Sequence, residues 1–228
     1  HTPVTNVEEL KFDLINQLEN IEKSDKVIIV IDSIGNVASK KELDDAINEK
    51  AVADMSRAKA LKGLFRMTTP YLTMSDIPLI AINHTYKEIG LFPKDIVSGG
   101  TGIYYSADNI WILGRRQNKT GTEVTGYDFI VNVEKSRYVK EKSKIPISVS
   151  WDGGIERYSG LLDVALAGGF VVKPSNGWYQ LVDTATGEVV GSKVRQKETL
   201  TQEFWSDLLQ NQRFLDFVQN QYSIDKRS

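Results

Sequence analysis

The 228-residue chain has no cysteine and only two histidines, His1 and His84. The first absence excludes disulfides and cysteine-ligated zinc. The second argues against a multi-histidine metal centre. No apolar run approaches the roughly 20 residues that cross a bilayer, and no secretory signal is visible at the start. The formal net charge is −2, which speaks against a uniformly basic nucleic-acid binder. The phosphate-cradling pattern GxxxxGK[ST] occurs nowhere. The chain opens on His1 rather than methionine, close to a helix start, and reads as a piece of something longer.

What is present fits a soluble globular protein: 41% apolar and 25% charged residues. The charge is unevenly spread. Residues 1–54 carry −6, residues 55–144 carry +6 and residues 145–228 carry −2. A basic middle is a local footprint for polyanions; the alternative is a solvated surface on which charges fall unevenly.

Helical spacing of Val7, Leu10, Leu14, Leu18 and Ile21 predicts a helix over 5–22, with Thr5 and Glu8 as a capping box. A continuous apolar strand follows at 27–31. Residues 36–50 are polar and read as a loop or loose helix. A second helix is predicted over 51–67, ended at or soon after by Pro70. Further strands are predicted at Ile77–Asn83, Asn109–Leu113, Tyr127–Arg137 and Ile145–Trp151, the later, more alternating ones as hairpin partners at one edge of the sheet. Continuous apolar strands between helices predict an α/β fold with a mixed, mainly parallel sheet covered on both faces. After residue 160 the texture breaks into short pieces around Gly168, Gly169, Pro174 and Gly177. There the sequence predicts a hairpin from WYQL and Val189–Val190, then one amphipathic helix over 201–222. Residues 1–164 therefore read as an α/β core and 165–228 as a small α+β domain.

The stretch KVIIVIDSIGN (Lys26 to Asn36) puts a carboxylate at the end of a buried strand. In doubly wound sheets ligands bind beyond the carboxyl ends of strands, and an apolar run ending in Asp is what a nucleotide hydrolase uses to hold Mg²⁺. Asp32 or Ser33 serving as a helix cap is the plainer alternative. A second strand ends in Asn83 and His84, polar groups suited to sensing a phosphate or positioning a water, or simply meeting solvent. VEKSR places Lys135 and Arg137 two apart, on one face of a strand. Such a pair can clamp phosphates across a subunit boundary; it can also be a basic edge that discourages sheet aggregation. Between these lies a long segment, Lys87 to Gly102, mixing Lys87, Phe92 and Lys94 and ending in glycines. Basic and aromatic residues on a mobile loop suit a single nucleic-acid strand, though a surface loop without a ligand would look the same.

VIIVIDS, PLIAINHTYKEIG, SGGTGIYYSADNIWIL, VEKSR and SGLLDVALAGGFVVKPSNGWYQL, in that order and at that spacing, resemble the RecA/Rad51 family of recombinases. The resemblance covers nearly all of the chain. It implies a RecA-like ATPase core followed by a small carboxyl-terminal domain. It implies ATP and Mg²⁺ as cofactors, helical filaments of the protein on single-stranded DNA, pairing with duplex DNA, and strand exchange in recombination, repair and replication. Single-strand-binding and mediator proteins would be partners, no membrane would be involved, and the location would be cytoplasmic, that of a host cell for a phage protein. Asp32 would help bind Mg²⁺ through water. His84 would stand where the family has a glutamine that senses the γ-phosphate. Ser33 and Asn83 would flank the nucleotide, and Lys135 and Arg137 would reach a neighbour's ATP. Ser39 to about Ala51 would be a first DNA loop and Thr85 to Ser98 a second. Arg57, Lys59 and Lys62 would support the DNA backbone, with Lys87, Phe92, Lys94, Gly99 and Gly100 also on DNA. Tyr105 would sit at a subunit contact.

The departures are His84 in place of glutamine, Arg137 in place of a lysine, and the missing phosphate loop. The family's catalytic glutamate would lie upstream of His1. Three readings follow: a DNA-dependent ATPase and recombinase, a recombinase-like DNA-binding mediator without catalysis, and a hexameric helicase on the same core. The carboxyl-terminal WYQL segment speaks against the helicase.

Overall fold

The computed structural model describes residues 1–22, 24–48, 55–91 and 93–224. Helices and strands mix along the chain, so the α/β expectation holds at that level. The chain packs as two compact units, His1–Asp108 and Asn109–Ser228.

In the first unit, helix α1 (Val7–Asn20) buries Val7, Leu10, Leu14 and Leu18, the stripe that the periodicity predicts. Its cap lies one residue later than expected: the Asn6 side chain accepts from the Glu9 N–H, and the Glu9 carboxylate accepts from the N–H and hydroxyl of Thr5. These bonds, led by the one from the Thr5 N–H, hold the Glu9 carboxyl below its ordinary range. Strand β1 (Ile29–Ile31) is followed by a turn and then by helix α2 (Lys40–Ile47), which Ser39 and Glu42 close with a capping box. Part of the expected first loop is therefore helical, because S-x-x-E is itself a helix start. Residues 49–54 of that stretch lie outside the described ones.

Helix α3 (Ser56–Met74) runs straight through Pro70, correcting the expected stop. Leu61, Leu64, Phe65 and Thr68 bury one continuous face ahead of the proline. Around it the hydroxyls of Thr68, Thr69 and Thr73 bond back to the carbonyls of Leu64, Phe65 and Thr69. A packed face thus outweighs the roughly 3 kcal/mol helix penalty of proline.

Strand β2 (Leu79–Ala81) pairs with β1 in parallel, Ile29 opposite Leu79 and Ile31 opposite Ala81. One face of this pair joins a core of Leu10, Leu14, Ile34, Leu61, Leu64 and Ile103. The other carries Val30, 58% exposed, and Ile80, 51% exposed. Among the described residues the core of this unit covers one face of the pair. Strands β3 (Thr85–Lys87) and β4 (Asp95–Val97) form a hairpin, and helix α4 (Thr101–Ser106) follows.

In the second unit the later strands are the hairpin partners expected, but they form a sheet of their own rather than the edge of a mainly parallel one. Strands β5 (Asn109–Thr120), β6 (Glu123–Ser136), β7 (Lys144–Ser150) and β8 (Gly154–Ile155) make one antiparallel sheet in chain order. A continuous apolar run such as NIWIL suits a parallel strand and an antiparallel one alike. The turn at Gly121, with φ of 65°, decides for a hairpin, because a two-residue connection cannot make a parallel crossover. Among the described strands only β1 and β2 are parallel.

Helix α5 (Leu161–Ala167) leads into a three-stranded antiparallel sheet of β9 (Val171–Ser175), β10 (Trp178–Val182) and β11 (Val189–Arg195). The predicted hairpin is present as β10–β11. The single closing helix is instead two, α6 (Gln202–Gln210) and α7 (Gln212–Tyr222), parted at Asn211. Asn211 has an extended backbone, and its side chain accepts from the N–H groups of Arg213 and Phe214, the work of an N-cap. Tyr158, Ala165, Val171, Tyr179, Trp205, Leu208 and Phe214 form the core of this region. No helix is long and apolar enough to cross a membrane, among the described residues.

Candidate functional site

Asp32 and Ser33 leave the end of β1 through a cis peptide bond. Neither caps a helix, since α2 is capped by Ser39. Asp32 is exposed. The Ser33 hydroxyl oxygen is buried and has no hydrogen-bond partner. The turn continues alongside the end of β2: the Ile82 N–H donates to Ile31 O at 2.9 Å and the Ile34 N–H to Ile82 O at 2.9 Å. Asn83 and His84 are therefore carried to the same tip as Asp32.

At that tip, His84 Nε2 lies 3.0 Å from Asn36 Oδ1. The ring rests on Gly35, where a Cβ would stand 2.2 Å from His84 Cδ2. Asn83 donates from Nδ2 to the Ser98 carbonyl at 2.7 Å and accepts from the His84 N–H. Ser98 in turn donates its N–H to the His84 carbonyl at 2.9 Å. Asp32, Ser33, Asn83 and His84 thus share one tip with Asn36, which sequence reasoning did not single out. Its only signal was a polar residue after the glycine of SIGN.

A carboxylate and an orphaned hydroxyl at a strand tip fit oxygen coordination of Mg²⁺. The described residues hold no cluster of three or more His, Cys, Asp or Glu able to bind a metal by themselves. Asp32 suits an ion that arrives already bound to phosphates, since Mg²⁺ keeps most of its ligands from water and phosphate.

The expected DNA residues fall into three settings. Lys59 and Lys62 are exposed on α3, with the Lys62 stem packed over Gly102. Arg57 is turned inward: Nε donates to Val37 O at 2.9 Å, and Nη2 to Ile34 O at 2.8 Å and Gly35 O at 2.9 Å. The second loop is a hairpin at its feet, with the Lys87 ammonium 2.8 Å from Asp95 Oδ1. Lys94 is exposed near its turn, and Phe92 lies outside the described residues. Gly99 and Gly100 take φ of 94° and 82° where the chain enters α4. At Gly99 a Cβ would stand 2.4 Å from Ile103 Cδ1, so conformation and space both require glycine. Tyr105 is exposed, its ring edge-to-face with Tyr104.

Lys135 and Arg137 belong to the second unit. Lys135 is on β6 opposite Ile110, but β6 ends at Ser136. The buried Ser136 hydroxyl donates to Asn109 Oδ1 and accepts from the N–H groups of Tyr138 and Val139. Arg137 therefore sits in a turn rather than at a strand position, and strand alternation does not place it on the face of Lys135.

Comparison with known proteins adds what the chain is similar to. Residues 158–218 match the carboxyl-terminal domain of the bacteriophage T4 recombination and repair protein. The chain is 53% identical over 228 residues to the recombination and repair protein (UvsX) of Enterobacteria phage T4, covering 98% of this chain and 58% of that protein. Protein RecA of Tropheryma whipplei (strain Twist) is 27% identical over 71% of this chain and 37% of its own length. Protein RecA of Clostridioides difficile (strain 630) is 27% identical over 71% of this chain and 46% of its own. This chain thus spans somewhat more than half of its phage relative and less than half of these RecA proteins. The resemblance to the RecA/Rad51 recombinases is shown: this chain is a relative of the phage T4 recombination and repair protein along 98% of its residues and, more distantly, of bacterial RecA.

Proposed function

We propose that the chain serves an ATP-dependent DNA recombinase that forms helical filaments on single-stranded DNA, pairs it with homologous duplex and exchanges strands. The observation that carries this reading is the joined tip of β1 and β2, where exposed Asp32 and the unpartnered Ser33 hydroxyl stand beside Asn83 and His84. Residues 1–164 serve as part of a RecA-like core and 165–228 as the small carboxyl-terminal domain. The hydrophobic cluster of this region gathers six of its seven buried residues after 164, with Tyr158 joining from before that boundary. The setting is the cytoplasm in which the DNA lies.

Bound ATP with Mg²⁺ would supply the hydrolysable phosphate bond. The chain's own residues do the rest. Asp32 would hold the ion with its carboxylate, and Ser33 would add a hydroxyl oxygen. His84 and Asn83 would meet the terminal phosphate. The same two residues are bonded to Ser98 at the foot of the β3–β4 hairpin, so the phosphate site and the hairpin share a backbone. Lys135 and Arg137 carry positive charge toward the nucleotide of a neighbouring subunit; arginine adds a fork suited to bidentate phosphate contact. Lys59, Lys62 and Lys94, with Phe92, Gly99 and Gly100, meet the DNA. Lys87 shares its charge with Asp95 and contributes less. Tyr105 contacts a neighbouring subunit. Single-strand-binding and mediator proteins are the further partners of this reading.

The 228 residues contain no phosphate-cradling loop. By themselves they neither bind ATP tightly nor hydrolyse it. The basic middle of the chain, +6 over residues 55–144, suits a second reading equally, a DNA-binding mediator without catalysis. ATP hydrolysis by the complete protein, with and without single-stranded DNA, separates the two. Strong stimulation by DNA supports the recombinase. DNA binding with no hydrolysis in either condition supports the mediator.

A further inference from the structure

Around the β1 tip, Arg57 does something that a surface cation would not. Its guanidinium, on the first turn of α3, donates to the carbonyls of Ile34, Gly35 and Val37. Charge-assisted bonds are about twice as strong as neutral ones, and three of them converge on one four-residue turn. That turn holds His84 in two ways. Gly35 lies flat beneath the ring, leaving no room for a side chain. Asn36 presents Oδ1 to Nε2 at 3.0 Å. An amide oxygen there calls for Nε2–H as the donor, and of the two neutral tautomers the one that meets it has Nδ1 as its acceptor. On its other side, the His84 backbone is paired with Ser98, which Asn83 also holds.

We propose that Arg57 is a positioning residue. It fixes the turn 34–37 and thereby sets the place and the tautomer of the His84 ring. This joins the start of α3 to the tip where phosphates are read and to the foot of the β3–β4 hairpin. A lysine cannot substitute, because one ammonium does not span three carbonyls as a planar fork does. The effect on hydrolysis rests on the function proposed above; the effect on the ring does not.

The test uses the complete protein and has two arms. In the first, histidine is labelled with ¹⁵N and the His84 signals are assigned by their loss in His84→Gln. The native ring is expected as the single Nε2–H tautomer. Arg57→Ala and Arg57→Lys are expected to give mixed tautomers, while Arg66→Ala, elsewhere on α3, leaves the signals unchanged. Unchanged signals in Arg57→Ala overturn the proposal. Should that variant not fold, Asn36→Leu breaks the same link further on, and unchanged signals there overturn it equally. In the second arm, Arg57→Ala is expected to lower kcat for DNA-stimulated hydrolysis about tenfold, with KM for ATP little changed. In a His84→Gln background the same change is expected to cost less than about threefold, the non-additivity of residues acting through one group. An equal loss in both backgrounds overturns the proposal, since Arg57 would then act on DNA or on the fold at large. Absence of hydrolysis in the unaltered protein sinks the recombinase reading and leaves the first arm to decide the role of Arg57.

Discussion

Around Asp32 the chain is fixed by hydrogen bonds from side chains to backbone, whereas after Tyr158 it is fixed by aromatic rings packed on one another. At the tip, Arg57, Asn83 and Asn36 reach carbonyls or a ring nitrogen, and Asp32 and His84 stay at the surface. In the carboxyl-terminal core, Phe170 meets Phe214 at 5.1 Å and Phe217 at 5.6 Å between ring centres, and Phe204 meets Trp205 at 4.9 Å. A surface that must meet charged ligands cannot be held by burying apolar groups, because the groups that do the work have to remain wet. A region that only has to be stable can be held that way, at about 25 cal/mol for each Å² of apolar surface removed from water. The two regions should therefore fail differently when cut.

The sharpest break is at Asp32. Asp32→Ala in the complete protein is expected to abolish ATP hydrolysis, a loss of about a hundredfold or more, and to leave the melting temperature and DNA binding near their native values. Activity within a few fold of native would make Asp32 a structural residue and erase the contrast. Trp205→Ala is expected to do the reverse. Trp205 is 1% exposed and its indole N–H donates to the Thr199 carbonyl at 2.5 Å, so truncation should cost about 3–5 kcal/mol of stability. Denaturant unfolding measures this. A cost under about 1 kcal/mol would show that the core collapses around the gap.

Lys135→Ala with Arg137→Ala tests whether the second unit also carries ligand chemistry. DNA binding in the presence of a non-hydrolysable ATP analogue should weaken more than binding without nucleotide. Equal weakening in both, with a log–log salt slope smaller by about 0.7 for each cation, would mean that they contact DNA phosphates instead. Asn211→Ala is the mildest cut. It removes an N-cap between two helices, and thermal unfolding should register about 1 kcal/mol. No change would mean that the packing of Phe214 alone keeps α6 and α7 apart.

Much of this was legible in the sequence. The helical stripe of α1, the carboxylate at the end of β1, the polar residues at the end of β2 and the β10–β11 hairpin all follow from period, propensity and turn chemistry. These are local properties, so a local reading finds them. The sequence also carried the family, through the order and spacing of several motifs. Sheet direction was legible only in part, in the alternating strands that read as hairpin partners. An apolar strand has the same composition whichever way its neighbour runs, and only the pairing of β5 with β6 and of β1 with β2 settles direction. The run through Pro70 was decided by burial of Leu61, Leu64, Phe65 and Thr68 along one face. The inward turn of Arg57 was decided by carbonyls 20 to 23 positions away in the chain. A guanidinium reads as a surface charge until the fold shows what its donors meet, because hydrogen bonds between distant residues leave no period in the sequence.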